Sequence, residues 1–112
     1  MTDRLLLAGL LAGNWRHLPF EPFRSGIEIH RLYTVPGGAA AALLRYAPGG
    51  IAPLHEHPGF EHVLVLEGSQ SDEHGLYEAG TLLVNPPGSR HSVRSEQGCV
   101  ALLIWEKPVR FL

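Results

Sequence analysis

The sequence predicts an all-β domain, built as a sandwich or a barrel. Short segments rich in apolar residues recur at spacings of roughly 8 to 12 residues, which is typical of such folds. Clusters of glycine and proline separate them, and the chain contains 13 glycines and 9 prolines. With 112 residues and 45% hydrophobic content, the chain suits one domain with one core. We therefore predict a single domain over residues 1–112.

The strands follow in chain order from these patterns. Strand character is found at residues 27–35, 41–46, 61–67, 80–84, 90–95 and 99–106. Turn signals rich in glycine and proline lie between them, at residues 36–38, 47–50, 57–59 and 85–89. Residues 3–12 have helical character, with Thr2 as a candidate N-cap. The prediction is an N-terminal arm over about residues 1–26 and a β-barrel over about residues 27–108.

Two of these segments are apolar on both faces, namely "HVLVLE" at residues 62–67 and "CVALLIWE" at residues 99–106. Strands of this kind are expected between the barrel interior and either a second sheet or a partner subunit. A small domain must cover the outer apolar face of such strands in some way. The sequence therefore predicts a homodimer.

Composition narrows the classes of partner and compartment. The net charge is −2 and no run of Lys and Arg is present, which argues against nucleic-acid binding and against an anionic membrane surface. The apolar run at residues 5–12 is shorter than the roughly 20 residues that span a bilayer. A signal peptide begins with a positively charged region, but here the negative charge of Asp3 offsets the positive charge of Arg4. The single cysteine, Cys99, excludes an intramolecular disulfide. A cytoplasmic protein is the default expectation, with Cys99 a small core residue.

The stretch "HEHPGFEH" at residues 55–62 is the first candidate for chemistry. His55 and His57 share one face of an extended segment, because side chains alternate along a strand. If Glu61 begins a strand whose inner face also carries Val63, its carboxylate enters the same space. Buried imidazoles beside a buried carboxylate are costly unless a cation compensates them. Two histidines and one carboxylate are also a recurrent set of ligands for non-haem iron and related metals.

The segment "GTLLVNPPGSRHSV" at residues 80–93 supplies a fourth candidate ligand. Pro86, Pro87 and Gly88 force a tight loop, and His91 begins the next strand. An antiparallel return of that strand brings His91 within reach of the same metal.

These residues resemble the two motifs of the cupin family. Residues 49–68 match the first motif, G-x5-H-x-H-x3-E-x6-G, at every specified position: Gly49, His55, His57, Glu61 and Gly68. Residues 80–95 match the second, G-x5-P-x-G-x2-H-x3-N, at Gly80, Pro86, Gly88 and His91, and depart only at Ser95. The resemblance implies a double-stranded β-helix, or jelly-roll barrel. It also implies one divalent metal held by His55, His57, Glu61 and His91, with zinc or iron expected first and manganese or nickel as alternatives.

The segment between the motifs resembles the ChrR-type cupins, which are named after the cupin half of a bacterial anti-sigma factor. The "SDEHG" turn, the "NPPGS-x-H" loop and the late "GC" carry this resemblance. In that anti-sigma factor, a zinc-dependent N-terminal domain binds the sigma factor. Only some 26 residues precede the first predicted strand here, and none is cysteine. Sigma-factor binding is therefore predicted to be unlikely.

Two functions follow from this interpretation. The first is a metal-binding module that senses or binds a small molecule without turnover. The second is a metal-dependent dioxygenase, with iron, acting on a small ketone, diketone or aromatic acid. Phe60, Tyr46 and Arg45 are the candidate pocket residues for either function, and catalytic residues are not assigned.

Overall fold

The computed structural model of the chain describes residues 4–112 and consists mainly of β-strands. Two 3₁₀ helices come first, at Leu10–Ala12 and Asn14–His17. The first five strands are β1 (Glu21–Arg24), β2 (Ile27–Thr34), β3 (Ala40–Tyr46), β4 (Gly50–Glu56) and β5 (Glu61–Asp72). The other five are β6 (Gly75–Glu78), β7 (Leu82–Asn85), β8 (Arg90–Ser95), β9 (Cys99–Trp105) and β10 (Arg110–Phe111).

The strands form a curled, antiparallel jelly roll of two sheets joined through β5. Hydrogen-bonded neighbours run in the order β1-β2-β3-β9-β5-β8-β4-β10, with β6 and β7 also paired to β5. The first half of β5 pairs with β7 and β9, and its second half pairs with β6 and β8. A bulge between Val65 and Glu67 separates the halves. The predicted all-β jelly roll is confirmed.

The core lies between the two sheets and is filled by alternate residues of the strands. Ile27 and Ile29 of β2, Leu44 of β3, Val63 of β5 and Val93 of β8 are among its buried side chains. A second apolar cluster lies on the outer face of the first sheet, around Leu43, Leu66, Val100 and Trp15. Trp15 belongs to the second 3₁₀ helix. The N-terminal segment therefore covers part of the outer apolar face that the sequence assigned to a second sheet or a partner subunit.

The N-terminal segment differs from the helix predicted over residues 3–12. Residues 4–7 have no regular structure and residues 8–9 form a turn, so only Leu10–Ala12 is helical within that range. Gly9 and Gly13 both adopt positive φ angles, 71° and 90°, which an α-helix does not accommodate. The predicted N-cap, Thr2, and Asp3 lie outside the described residues. Within residues 4–112 no helix is long and apolar enough to cross a lipid bilayer.

The sheets extend beyond the predicted barrel at both ends. β1 precedes residue 27 and pairs with β2, whereas β10 follows residue 108 and pairs with β4 at Glu56 and His55. Both are short, and their sequences lack a pattern that would mark them as strands. β10 matters for the site, because it brings Phe111 beside His55.

Candidate metal centre

Three histidines from the two sequence motifs meet inside the barrel. His55 near the end of β4 lies opposite His91 on β8, and His57 follows just beyond β4. The three side chains are almost fully buried, at 5%, 2% and 3% exposure for His55, His57 and His91. One ring nitrogen from each lies within 4.8 Å of the others. The cluster is a candidate divalent metal site.

A local irregularity in β4 sets the direction of His55. The register of β4 against β8 shifts between Ala52 and His55, and the intervening Pro53 and Leu54 are both exposed. A bulge adds one residue to a strand and changes which face the following side chains occupy. His55 therefore points into the barrel.

The loop between β7 and β8 holds His57 in place through hydrogen bonds to its backbone. The backbone N–H of Gly88 donates to the carbonyl of His57 (2.8 Å), and the N–H of His57 donates to the carbonyl of Ser89 (2.9 Å). Gly88 has a φ of 87°, a conformation that favours glycine. The turn brings the Ser89 hydroxyl to 2.9 Å from Nδ1 of His57, while that hydroxyl donates to the carbonyl of Pro86 (2.6 Å).

These contacts fix the protons on two of the histidine rings. Since the Ser89 hydroxyl donates its hydrogen bond to the carbonyl of Pro86, its oxygen accepts one from Nδ1–H of His57. Nδ1 of His55 lies 2.7 Å from the carbonyl oxygen of Pro53, which can only accept. In the neutral form of both rings the proton is therefore on Nδ1, and Nε2 offers a lone pair.

His91 is oriented by a buried carboxylate. Its Nδ1 lies 3.1 Å from Oδ2 of Asp72, whose side chain is 4% exposed. The Tyr77 hydroxyl and the backbone N–H of His74 both donate to Oδ1 of Asp72, each at 2.8 Å. Burial opposes ionisation of Asp72, but the hydrogen bonds from His74, His91 and Tyr77 outweigh it and lower the pKa of this carboxyl group. A carboxylate that accepts from a histidine is a common support for a metal ligand, because it fixes the tautomer and raises ligand basicity.

Glu61 completes the polar cluster. It begins β5 between Asn85 on β7 and Trp105 on β9. Nδ2 of Asn85 donates to its Oε1 (3.0 Å), and Nε1 of Trp105 donates to its Oε2 (2.7 Å). Burial opposes the ionisation of Glu61, whereas the hydrogen bond from Nε1 of Trp105 favours it.

The residues present fit a cation at this position. Nε2 of His57 and Nε2 of His91 are buried and make no hydrogen bond within the described residues. These atoms lie 3.2 Å and 3.9 Å from Oε1 of Glu61. With protons held on the Nδ1 atoms, lone pairs of the rings face a carboxylate in a water-poor interior. Unpaired buried acceptors are destabilising, and a divalent metal removes that cost.

The protonation of His55 agrees with this arrangement. Burial lowers the pKa of His55, and the neighbouring His91 and His57 add to the effect, against opposing contributions from Pro53 and Glu61. The neutral imidazole is the form that binds a metal. The site therefore favours the metal-competent form of this ligand.

A small cavity of about 40 Å³ adjoins the cluster. His55, His91 and Glu61 line part of it, and Tyr46 and Gln70 are the other polar residues among mainly apolar walls. A larger apolar cavity of about 270 Å³ lies beside it. Phe23, Trp105 and Val109 line both spaces and form the partition between them.

The three predicted pocket residues are placed differently. Tyr46 lies inside the barrel, 5% exposed, and lines the small cavity. Phe60 is 45% exposed and is not part of the lining. Arg45 also lies elsewhere, because it occupies the outward face of β3, pairs with Glu28 (2.8 Å) and covers the ring of Phe20.

Sequence reasoning missed several residues that support the site. Strict alternation from Glu61 turns even-numbered positions of β5 outward, but the bulge after Val65 reverses this and turns Gln70 and Asp72 inward. In the structure the change shows as two consecutive buried residues, Val65 and Leu66, which simple alternation does not predict.

A jelly-roll barrel with inward histidines from both motifs defines the class of protein as a cupin. More specifically, the chain belongs to the ChrR Cupin-like domain family, whose model matches residues 10–109. 

Two relatives place the chain within this class. The anti-sigma-E factor ChrR of Cereibacter sphaeroides is 38% identical over 78 residues, which are 67% of this chain and 37% of ChrR. The structure of Rhodobacter sphaeroides SigE in complex with the anti-sigma ChrR matches with a TM-score of 0.72 and 28% identity, over 81% of this chain and 50% of that one. The chain thus spans half or less of the length of these relatives.

A third structure has a similar fold only. The acetylacetone dioxygenase of Acinetobacter johnsonii matches with a TM-score of 0.81 over 100% of this chain and 78% of its own, at 14% identity. The TM-score shows that the two proteins share the barrel fold, and an identity this low shows nothing beyond the fold.

The expectation that a sigma factor is an unlikely partner is wrong. A family relative has been crystallised in complex with the sigma factor SigE, with its cupin region matching this chain. The expectation depended on the short, cysteine-free segment before the barrel, whereas the match to this relative extends over 81% of the chain.

Proposed function

We propose that this chain is a metal-dependent regulatory cupin, which binds one divalent transition metal and recognises a small molecule beside it. The ligands in this proposal are His55, His57, His91 and Glu61. One observation carries it: the buried Nε2 atoms of His57 and His91 have no hydrogen-bond partner and face the Glu61 carboxylate. The Nδ1 atoms of the same two rings already have partners elsewhere. Membership of the ChrR Cupin-like domain family supports a regulatory role over turnover.

Each part of the chain has a defined task in this proposal. Pro53, Ser89 and Asp72 hold the three rings so that their Nε2 atoms converge. Asn85 and Trp105 orient the Glu61 carboxylate. A bound metal would supply a Lewis acid that attracts an oxygen-bearing ligand. Imidazoles with one carboxylate suit zinc, iron, manganese and nickel, and we expect zinc or iron in the native protein.

The test is metal content by mass spectrometry on protein purified without chelators or metal supplements. We expect about one equivalent of metal per chain in the wild type. His55→Ala, His57→Ala and His91→Ala should each reduce it severalfold. His62→Ala is the matched control, because His62 is exposed on the same strand as Glu61. Metal-free wild-type protein, or equal loss in the control, would contradict the proposal.

A non-haem iron dioxygenase is the second candidate function. The cavity beside the histidines favours it, because a metal with space on one side can take a substrate. Acetylacetone is a sensible trial substrate in view of the similarly folded dioxygenase. Stoichiometric iron together with oxygen consumption on acetylacetone or related diketones would support this alternative. Stoichiometric zinc and no oxygen consumption would support the regulatory function.

Two further expectations belong to this proposal. We expect a cytoplasmic location, which the single buried cysteine suits. We also expect a homodimer, supported by three exposed apolar side chains on the outer face of neighbouring strands: Leu82, Val84 and Ile104.

A further inference from the structure

Two polar residues that the metal site does not use line the small cavity. Tyr46 is 5% exposed and Gln70 is 4% exposed, and both line the cavity with His55, His91 and Glu61. Within residues 4–112, Gln70 forms a side-chain hydrogen bond only through Oε1, so its amide nitrogen and the Tyr46 hydroxyl are both available to a ligand.

The orientation of the Gln70 amide follows from its neighbour Cys99. Burial raises the pKa of the Cys99 thiol to about 11, so the sulfur keeps its proton and acts as a donor. Its Sγ lies 3.7 Å from Oε1 of Gln70. A thiol donor selects the oxygen of the amide, and the NH₂ group is left for another acceptor.

Tyr46 presents a second donor to the same space. Its side chain shares the inner face of β3 with Leu44, and its backbone lies opposite Cys99 on β9. Burial raises the pKa of Tyr46, with further contributions from Cys99 and Glu61. The phenol is therefore protonated at neutral pH and is able to donate.

The size and polarity of the cavity limit what these donors accept. A water molecule needs roughly 10 to 15 Å³ of such volume, so about 40 Å³ corresponds to about three water-sized atoms. A short carboxylate has this size, and its two oxygens match a metal on one side and N–H or O–H donors on the other. Hydrogen bonds to a charged acceptor are stronger than those to a neutral one.

We propose that Tyr46 and Gln70 form the recognition pair for a small carboxylate bound beside the histidine cluster. This inference rests on the proposed metal site. Tyr46 and Gln70 are positioning residues for the ligand and do not touch the metal in this assignment. Their task is to select carboxylates of three or four heavy atoms over larger or apolar molecules.

The experiment uses the full chain loaded with Co²⁺, whose visible absorption responds to changes in its ligands. Sodium acetate is titrated into the loaded wild type, Tyr46→Phe and Gln70→Met. Both substitutions preserve volume and remove a donor. We expect acetate to change the wild-type spectrum in a saturable way, and the acetate dissociation constant to rise at least about tenfold in each variant. Co²⁺ affinity should stay within about twofold of the wild type, which a general structural defect would not allow.

Matched controls are Tyr33→Phe and Gln97→Met, since both residues are exposed. Both should titrate like the wild type. A saturable acetate response that is unchanged in Tyr46→Phe and Gln70→Met would overturn the recognition pair and leave the metal site intact. Co²⁺ binding without any acetate response would do the same. Failure of Co²⁺ to bind the wild type would overturn both proposals.

Discussion

The three histidines of the centre are held by three different kinds of acceptor. His55 donates to a backbone carbonyl, His57 to a hydroxyl, and His91 to the carboxylate of Asp72. Only the last acceptor carries a full charge, so it does most to increase the electron density on the opposite nitrogen. The cluster therefore contains one ligand whose strength depends on an ionised partner.

Replacing Asp72 by asparagine tests that dependence. Asp72→Asn removes the charge but retains the size, and we expect the metal dissociation constant to increase about 10- to 100-fold. Competition with a chromophoric chelator measures it. Glu73→Gln is the control, because Glu73 is adjacent in sequence but bonds to Ser92. Equal affinities of Asp72→Asn and the wild type would show that the carboxylate has no influence on the site.

Cys99 should be chemically inert in the folded protein. Its pKa of about 11 leaves roughly one thiol in a thousand ionised at pH 8, and the thiolate is the reactive form. We expect no reaction with a disulfide reagent such as DTNB within minutes at pH 8, and one thiol titrated at once in denaturant. Because the raised pKa makes the neutral form the favoured one, reactivity should increase as the pH rises toward 11. Rapid labelling of native protein at pH 8 would contradict this.

For the strands, the sequence predicted their positions in the chain better than the direction in which their side chains point. The six strands expected from apolar periodicity are present, and the inward direction of Glu61 and His91 follows from simple alternation. Bulges in β4 and β5 interrupt the alternation of inward and outward side chains. Neither the bulge before His55 nor the one after Val65 has a local signature that alternation can detect, which is why Gln70 was missed. Short strands such as β10 depend on tertiary pairing and cannot be found from local pattern.

β10 is expected to restrict access to the metal centre. Phe111 packs against the ring of His55 with centroids 5.5 Å apart, and the guanidinium of Arg24 lies 3.5 Å from the centroid of Phe111. Arg110 forms an ion pair with Glu56 on β4. The strand thus lines the cavity with an aromatic ring that contacts both His55 and Arg24.

Removing that ring should speed metal exchange. We expect Phe111→Ala to lose metal to excess EDTA severalfold faster than the wild type, because the side chain that shields His55 is absent. Stopped-flow absorbance of the Co²⁺ form gives the rate. Leu112→Ala is the control, since Leu112 is 55% exposed and adjacent in the chain. An unchanged rate would mean that the metal leaves by another route.

For the whole molecule, the outer face of the first sheet is only partly covered. Trp15 and its neighbours pack over Leu43, Leu66 and Val100, whereas Val84 and Ile104 remain 48% and 39% exposed. His62 lies between these two residues in the strand pairing.

The boundary of a single domain over residues 1–112 stays a prediction, as does the homodimer.

A charged substitution on this face tests the homodimer. We expect Val84→Glu to shift the protein from dimer to monomer in sedimentation velocity, because burying an unpaired carboxylate in an apolar interface is strongly unfavourable. Leu76→Glu is the control, as Leu76 is 63% exposed on β6, away from this sheet face. A monomeric wild type would refute the expectation, and so would a dimer unaffected by Val84→Glu.

The hydrogen bond from Trp105 to Glu61 gives the protein an intrinsic fluorescent probe. The chain has two tryptophans, so Trp15→Phe leaves Trp105 as the sole indole emitter. Its Nε1 lies 2.7 Å from Oε2 of Glu61, and the other oxygen of that carboxylate, Oε1, faces His57 and His91. Emission should be quenched when a paramagnetic ion such as Co²⁺ fills the centre, and should shift less with diamagnetic Zn²⁺. Occupancy can therefore be followed in real time, in dilute solution and without any attached dye.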